Sequence, residues 1–534
     1  MIPHILRKDW RLLWPLVVLL TAIQVALEWA VYKSGFFGES ADAGALLRPL
    51  TLALLSGMAA LVVALVQEDP VPGVEQDWLI RPIRRRDMLL AKALFALLAI
   101  CVPMLIVNFV HAQIMGFSAA VSLAALSWKA LYAFLCLIVP LLALASMTRN
   151  MGELAVMGAA LMVVYALSLG LAAMALGPDH CPTCDSGVSW LQHFAAHIGV
   201  LVASVVILWL QYRHRRTGLS RKLALAGAAA LVFVQMPWST AFSLQQWLDG
   251  SARVVTPVAV QIAKEGVTVS TGKARHAPGT RGATSALLRG DVDEAANYLQ
   301  QRVGARQAAV IVDVPLQIRG VASDELLLFD RSEADFTDGR GRSLYHGAHV
   351  AEWLGPVVPA VEGSDGTPAV VHQKLSVPSG AFPRSTQGGL RLELKYSVTL
   401  MHSIAQYPLA ALSGVVRTKE AGICATQADR DGIRLRCKKL TLAPFCYSAT
   451  VYAADGTHNP EVFNCGPDYR PYLPAMTNAL SFFGLSIPTR DPAGQVSYTV
   501  GAAELEQAHV VLKVYAVRTH FTQALAAEIP QSLR

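Results

Sequence analysis

The sequence predicts an α-helical membrane domain of six to seven transmembrane helices, followed by a large extracytoplasmic β-rich domain of sandwich-like build. Three observations predict it. Of 534 residues, 53% are hydrophobic and only 16% charged, against roughly 25% charged in an ordinary soluble domain. The mean hydropathy is positive, at +0.41. Apolar runs crowd the first 242 residues, whereas Gly, Pro, Ser and Thr punctuate the rest. This composition excludes a disordered chain, a collagen-like fibre and a small disulfide scaffold.

Crossing a hydrocarbon core of about 30 Å takes about 20 helical residues. Seven apolar runs meet or approach that length, near residues 12–32, 49–66, 88–111, 127–147, 154–176, 190–210 and 223–242. The first run has no convincing small-x-small cleavage site and six more follow it, so it reads as retained. Residues 1–242 thus form one domain and 243–534 another.

Charge gives the orientation. Residues 1–242 hold 17 Lys and Arg against 12 Asp and Glu, and the remainder 28 against 26. Arg7, Lys8 and Arg11 precede the first span. Arg81, Arg84, Arg85, Arg86 and Lys92 surround the start of the third, and Arg149 lies between the fourth and fifth. Arg213, Arg215, Arg216, Arg221 and Lys222 separate the sixth from the seventh. The alternate loops hold only Lys33, Arg48 and Lys129. The positive-inside rule therefore puts the N-terminus in the cytoplasm. An odd number of spans then sends the C-terminal half outside. No basic stripe with interleaved aromatics occurs, so nucleic acid is not expected as a partner.

In the C-terminal half, segments 308–318, 326–329, 390–400, 438–444 and 509–517 read as strands between turn signals. Segment 293–303 reads as helix. Such spacing suggests a β-sandwich or two stacked β-modules. Cys424, Cys437, Cys446 and Cys465 fall here, and four cysteines allow three pairings. Cys424–Cys437 and Cys446–Cys465 are preferred because each closes a short loop, with buried free thiols as the alternative. An oxidising compartment favours disulfides. Cys101 and Cys136, inside spans, read as apolar filler.

Four features bear on function. In the first, Ile2, Ile5, Leu6, Trp10 and Leu13 repeat at helical spacing, with His4, Arg7, Lys8 and Arg11 opposite. That is the pattern of an interfacial amphipathic helix or of a charged flank to the first span. In the second, residues 67–92 run from Glu68, Asp69, Glu75 and Asp77 through Trp78 to Arg81, Arg84, Arg85, Arg86 and Asp87. This stretch reads as a docking surface for a cytoplasmic partner or as an ordinary solvated loop. In the third, Asp179-His180-Cys181-Pro182-Thr183-Cys184 precedes His193 and His197. Cys181 and Cys184 suit a disulfide, a metal site completed by the two histidines, or neither. The last feature is polar residues in spans: Glu28, Asn108, His111 and Gln113 lie near outer ends and are expected to snorkel to water, with a pathway or a helix contact as the alternative, and Lys129 is expected to snorkel too. Asp330, Asp335 and Asp338 suit turns or strand ends.

The opening segment 4–15, His-Ile-Leu-Arg-Lys-Asp-Trp-Arg-Leu-Leu-Trp-Pro, resembles the start of bacterial ABC type-2 exporter permeases. So does the loop carrying Trp78, Arg81-Pro82, Arg84 and Leu89-Leu90-Ala91-Lys92. The resemblance covers about residues 1–212. It implies six spans per permease, a homodimer or heterodimer, and a separate ATP-binding cassette subunit that holds ATP and Mg. It also implies an interfacial helix over residues 5–12 and a coupling loop over 75–87. The seventh span and the large outer domain depart from the family pattern.

No GxxxxGK[ST] phosphate loop occurs, so ATP hydrolysis is expected only in a partner. No GxSxG, HExxH or EF-hand pattern occurs either, so the chain reads as non-enzymatic with no cofactor of its own. The expected role is the membrane subunit of an ABC-type exporter, multi-pass in a bacterial inner membrane with its second domain periplasmic or extracellular. The alternative is a non-transporting multi-span protein whose outer domain is a sensor or envelope-assembly module. A membrane enzyme would need an acidic or His cluster at one membrane face, which only residues 179–197 approach.

Overall fold

A computed structural model describes residues 1–33, 41–68, 84–176, 189–235, 244, 258–272, 309–350, 370–378, 390–418, 422–429, 432–438, 440, 445–453, 455–456, 458, 462–465, 494–496 and 507–529. The helices are α1 (Ile2–Lys33), α2 (Ala41–Gln67), α3 (Arg85–Ala96), α4 (Val102–Met115), α5 (Ala119–Ala133), α6 (Val139–Ser146), α7 (Met151–Leu176), α8 (Ser189–Trp209) and α9 (Thr217–Gln235). A π-turn at Leu97–Cys101 joins α3 to α4, another at Phe134–Ile138 joins α5 to α6, and a third at Leu210–His214 extends α8. Among the described residues these make seven helical rods long and apolar enough to cross a membrane, as expected of a multi-pass membrane protein.

The rods are longer than the apolar runs suggest. α1 has no break between its charged first turns and its apolar stretch. The third rod runs from Arg85 to Met115 and the fourth from Ala119 to Ser146. α9 is described as far as Gln235, and the rest of the span expected to reach residue 242 lies outside the described residues. Two π-turns have a local cause. Pro103 and Pro140 occupy the second position of α4 and α6. A proline lacks the N–H that would bond four residues back, and its ring crowds that carbonyl. Widening the preceding turn relieves the crowding without ending the rod.

Leu20, Leu61, Phe95 and Ile138 are fully or nearly buried at the centre of the bundle, where α1, α2, the third rod and the fourth meet. Close packing of α1 on α2 depends on Gly57, where a Cβ would lie 2.9 Å from Leu20 Cδ1. α7 and α9 stand at the periphery, with only 6% and 11% of their span windows buried, so their apolar side chains are left largely uncovered.

The second half is antiparallel β-structure. Its strands are β1 (Ala259–Ile262), β2 (Thr268–Gly272), β3 (Ala309–Arg319), β4 (Glu325–Asp338), β5 (Ser343–Val350), β6 (Val370–Pro378), β7 (Leu390–Ala410), β8 (Val415–Thr418), β9 (Gly422–Asp429), β10 (Gly432–Lys438), β11 (Phe445–Tyr452), β12 (Val462–Cys465), β13 (Gly494–Val496) and β14 (His509–Ile529). Six strands form a long sheet, ordered β12-β11-β14-β7-β4-β5. One four-stranded sheet centres on β3, with β1 and β2 along one edge and β6 along the other; a second runs β13-β10-β9-β8.

Both small sheets cover the same face of the long one. In the first core Val312, Leu316 and Leu375 pack on Leu392, Leu394 and Tyr396. The Tyr396 hydroxyl donates to Gln373 Oε1 across this core, and burial pushes its phenol well above the ordinary value. In the second, Cys424, Ile433 and Leu435 pack on Tyr447, Val510 and Leu512.

Three bulges keep one face apolar along β4, β7 and β14, of which β7 and β14 serve both cores. Asp330 in β4, Ile404 in β7 and Arg518 in β14 each lack a cross-strand partner in the register. An extra residue reverses the alternation of inward and outward side chains. So β14 turns Val510, Leu512 and Val514 inward before Arg518, and Phe521, Leu525 and Ile529 inward after it. Arg518 itself pairs with Glu325, which is buried.

Of the strand expected over 438–444, only residues 438 and 440 are described. Lys438 ends β10, and Leu440 leaves the sheet to pack among Ala112, Ala125 and Leu126 of α4 and α5. The apolar side chain that suggested a strand is satisfied by helices instead. Segment 293–303 lies outside the described residues. Cys424 and Cys437 face each other on β9 and β10 and form the expected disulfide. Cys446 is disulfide-bonded and sits opposite Cys465 in the β11–β12 register. Cys101 and Cys136 are free thiols, buried and half-buried.

Candidate functional site at two buried ion pairs

α1 and the third rod run side by side in the same direction, tied at two levels. At the first, Lys92 Nζ lies 3.1 Å from Asp9 Oδ1, and the two side chains are 1% and 0% exposed. At the second, His111 Nδ1 lies 2.5 Å from Glu28 Oε2, both again buried. Each pair joins residues 83 positions apart. Asp9 to Glu28 and Lys92 to His111 are both steps of 19 residues, or about 28 Å of helix. That is close to the ~30 Å thickness of a bilayer's hydrocarbon core. An exposed tryptophan adjoins each acid, Trp10 beside Asp9 and Trp29 beside Glu28, where an aromatic belt would sit.

At the first level, Arg7, Lys8, Trp10 and Arg11 are exposed. Trp10 stacks edge-on against Phe95 at 5.7 Å, and Lys8 lies 3.6 Å from Glu68. The positive-inside pattern places Lys92 among the charges that flank the third span. Lys92 is instead sealed in the bundle, where Asp9 offsets the cost of desolvating it. Asp9 escaped notice because one acid among Arg7, Lys8 and Arg11 reads as part of a solvated face.

Basic residues gather around that end of the bundle. Arg84 and Arg86 are exposed, and Asp87 lies in the first turn of α3, where the helix dipole favours an acid. Arg85 donates to the carbonyl of Arg213 at 3.3 Å, joining two loops that are 128 residues apart in sequence. Arg215 follows in a left-handed conformation, φ 54°. Burial, with the nearby Arg85 charge, lowers its pKa from the ordinary value. Arg221 donates to the Met147 carbonyl at 2.8 Å and pairs with Glu153. Asn150 and Glu153 cap α7 reciprocally: Glu153 N–H donates to Asn150 Oδ1 at 2.8 Å, and Arg149 N–H to Glu153 Oε2 at 2.6 Å. Glu75, Asp77, Trp78 and Arg81 lie outside the described residues.

At the second level, Lys129 of α5 is 6% exposed and interacts electrostatically with Glu28. Tyr32 meets the His111 ring edge-on at 6.1 Å. One turn deeper, Gln24 and Asn108 are also buried, and Asn108 Nδ2 donates to the Met104 carbonyl at 2.7 Å. Gln24 Nε2, Glu28 Oε1 and Asn108 Oδ1 are buried without a hydrogen-bond partner among the described residues. The expectation that Glu28, Asn108, His111 and Lys129 snorkel to water is therefore corrected. Glu28, His111 and Lys129, from three helices, face one another inside the bundle. Only Gln113 is exposed, donating to Ser122 Oγ at 3.3 Å.

Beyond His111, α4 ends at Gly116, φ +92°, with the Phe117 N–H returning to the Ala112 carbonyl at 3.0 Å. A left-handed glycine with that bond is the usual helix stop. A Cβ there would lie 2.7 Å from Arg417 Nε of β8, so the β-rich half touches the α4–α5 turn at this point. Cys181, Cys184 and the His193 side chain lie outside the described residues. The His197 ring tilts against Tyr132 at 5.8 Å. Among the described residues, no group of three or more His, Cys, Asp or Glu could hold a metal ion.

No known protein family matches the chain, and neither does a curated protein or a solved structure.

Proposed function

We propose that this chain is the membrane permease subunit of an ABC-type exporter, coupled through residues 75–87 to a separate ATP-binding subunit. The observation that carries this reading is the continuity between the charged loop and the bundle. Arg84–Asp87 lead straight into α3, and five residues past Asp87 stands Lys92, locked to Asp9 of α1. The link from Arg85 to the Arg213 carbonyl widens the same basic rim. The resemblance of residues 4–15 and 78–92 to type-2 permeases supports the same reading.

The mechanism follows from that continuity. Closure of an ATPase dimer against the charged loop displaces the start of α3. The buried Lys92–Asp9 pair makes α1 move with it, because separating two charges inside an apolar bundle is costly. The Glu28–His111 pair repeats the constraint at the other level. Two parallel rods pinned at both levels tilt as one body and open a path between themselves and the remaining helices. The N-terminus is cytoplasmic in this reading, and the β-rich half lies outside an inner membrane. The chain itself binds neither ATP nor Mg.

The test is a gentle-detergent pull-down of the tagged protein from its native membranes, with mass spectrometry and an ATPase assay. A variant with Arg84, Arg85 and Arg86 changed to Glu is run beside it. The expected result is an ATP-binding cassette subunit captured by the native protein and lost with the variant. Capture of envelope proteins alone, with no ATPase activity, overturns the proposal in favour of a sensor or assembly role.

A further inference from the structure

The β7–β8 turn is held by hydrogen bonds and carries apolar side chains that stand exposed among the described residues. Thr426 locks it. Its hydroxyl donates to the Ala410 carbonyl at 2.6 Å and accepts the Gly414 N–H at 2.8 Å, while its own N–H donates to the Gly414 carbonyl at 2.8 Å. Gly414 has no room for a side chain, since a Cβ would fall 2.6 Å from the Ala410 carbonyl oxygen. On this fixed turn Leu412 is 41% exposed and Val415 61%. Val415 shares the outward face of β8 with Arg417, while Val416 between them packs into the core.

The position of the turn relative to the bundle gives its surroundings. Arg417 abuts Gly116, and Leu440, just past the β10 strand of the same small sheet, is buried among Ala112, Ala125 and Leu126. This edge of the β-rich half is therefore seated on the α4–α5 turn. Gly116 lies five residues past His111, or about 7.5 Å further along the helix. The polar headgroup layer adds roughly 5–7.5 Å to each side of the hydrocarbon core. If the Glu28–His111 level marks the edge of that core, Arg417 stands at headgroup height.

We infer that the β7–β8 turn docks on the outer lipid surface, with Leu412 and Val415 entering the headgroup–acyl boundary and Arg417 binding lipid phosphate. The inference rests on the bundle spanning a membrane, as proposed above. Exposed aliphatic side chains beside a cation are what an interfacial anchor needs, because burial of the former and attraction of the latter to anionic lipid add. The hydrogen-bonded turn loses little conformational freedom on docking. The β-rich half is then held against the membrane at two points, the α4–α5 turn and this one, and does not swing freely above it.

The test uses the full-length protein in vesicles of phosphatidylcholine with and without phosphatidylglycerol. Val415→Cys and, separately, Leu412→Cys carry an environment-sensitive fluorophore, and the signal of the parent protein is subtracted. Leu167→Cys, at an exposed position within α7, serves as the membrane reference. The expected result is blue-shifted emission at 415 and 412, quenched by lipid bearing a spin label near the headgroup, with stronger quenching when phosphatidylglycerol is present. Arg417→Glu should lower the docked-to-undocked ratio in the anionic vesicles by at least about fivefold, the worth of losing one basic residue near such a surface before the added negative charge is counted. Water-like emission at both sites, with the label at 167 still quenched by acyl-chain spin labels, overturns the docking proposal and leaves the membrane reading intact. Failure to quench at 167 overturns both. Quenching at 415 that ignores lipid charge and Arg417→Glu overturns the phosphate contact.

Discussion

Lys92 Nζ and Asp9 Oδ1 meet at 3.1 Å where neither side chain is more than 1% exposed. Removing one partner is far more damaging than removing both, because the survivor stays charged in an apolar bundle. Lys92→Met should cost about 3–5 kcal/mol, and Asp9→Leu in the same chain should restore most of it. Thermal unfolding in detergent reads the difference. A double variant no more stable than the single one would show that the pair is not the stabilising unit.

Gly116 should resist replacement for a backbone reason. At φ +92° an L-residue loses roughly 1–2 kcal/mol. Arg417 is a long side chain and can move aside. Gly116→Ala should therefore cost about the same in the native chain and in Arg417→Ala, within the few tenths of a kcal/mol expected of independent effects. A loss that disappears in the Arg417→Ala background would instead assign the cost to the clash.

Arg518 separates a deletion from a substitution. Deleting it would carry residues 519–529 to the opposite face of β14, exposing Phe521, Leu525 and Ile529, which now pack on the first core. The deletion should abolish the protease-resistant β-rich half. Arg518→Ala keeps the register and loses only the pairing with Glu325. Because Arg518 is 59% exposed, solvent screening limits that loss to about 1 kcal/mol. Limited proteolysis of the two variants side by side decides the matter, and equal resistance would remove the parity argument.

Asp338 gives the β4–β5 turn a pH dependence. Its Oδ1 accepts the N–H groups of Arg340 and Arg342, each at 2.9 Å, and Oδ2 accepts Arg342 Nε at 3.1 Å. Hydrogen bonding from the Arg342 backbone first, then from Arg340, together with the Arg342 charge, holds its pKa below the ordinary value. A depressed folded-state pKa contributes stability above the unfolded value that is lost as pH falls through the folded one. Hydrogen-exchange protection at Arg340 and Arg342, corrected for intrinsic rates, should be constant near neutrality and fall in acid below the usual aspartate range. Asp338→Asn should show weaker protection and no such acid step.

The helices were legible because a run of about 20 apolar residues has few fates other than a membrane or a large core. The pairing of Cys424 with Cys437 was legible for a similar reason, since a short loop brings the two onto adjacent strands. Pro103 and Pro140 sat inside apolar runs, and whether a proline ends a helix or only widens it depends on how the rod is held. The polar residues of the spans were visible, yet their partners were not. Glu28 and His111, like Asp9 and Lys92, lie 83 residues apart, and no local periodicity signals a contact of that length.

The same division holds in the β-rich half. Alternation marked β3, β7 and β14, but a bulge is one extra residue, and in sequence Asp330, Ile404 and Arg518 look like any other position. Composition and periodicity by themselves determined that a set of apolar helices precedes an antiparallel β-rich half. Only the tertiary structure decided which charges pair inside the bundle, which face of the long sheet is shared, and that Leu440 leaves its sheet for the helices. The physical reason is range. The apolar periodicity that marks a helix or a strand is written in near neighbours, whereas a buried charge or a bulge is stable only against a partner that folding brings from far along the chain.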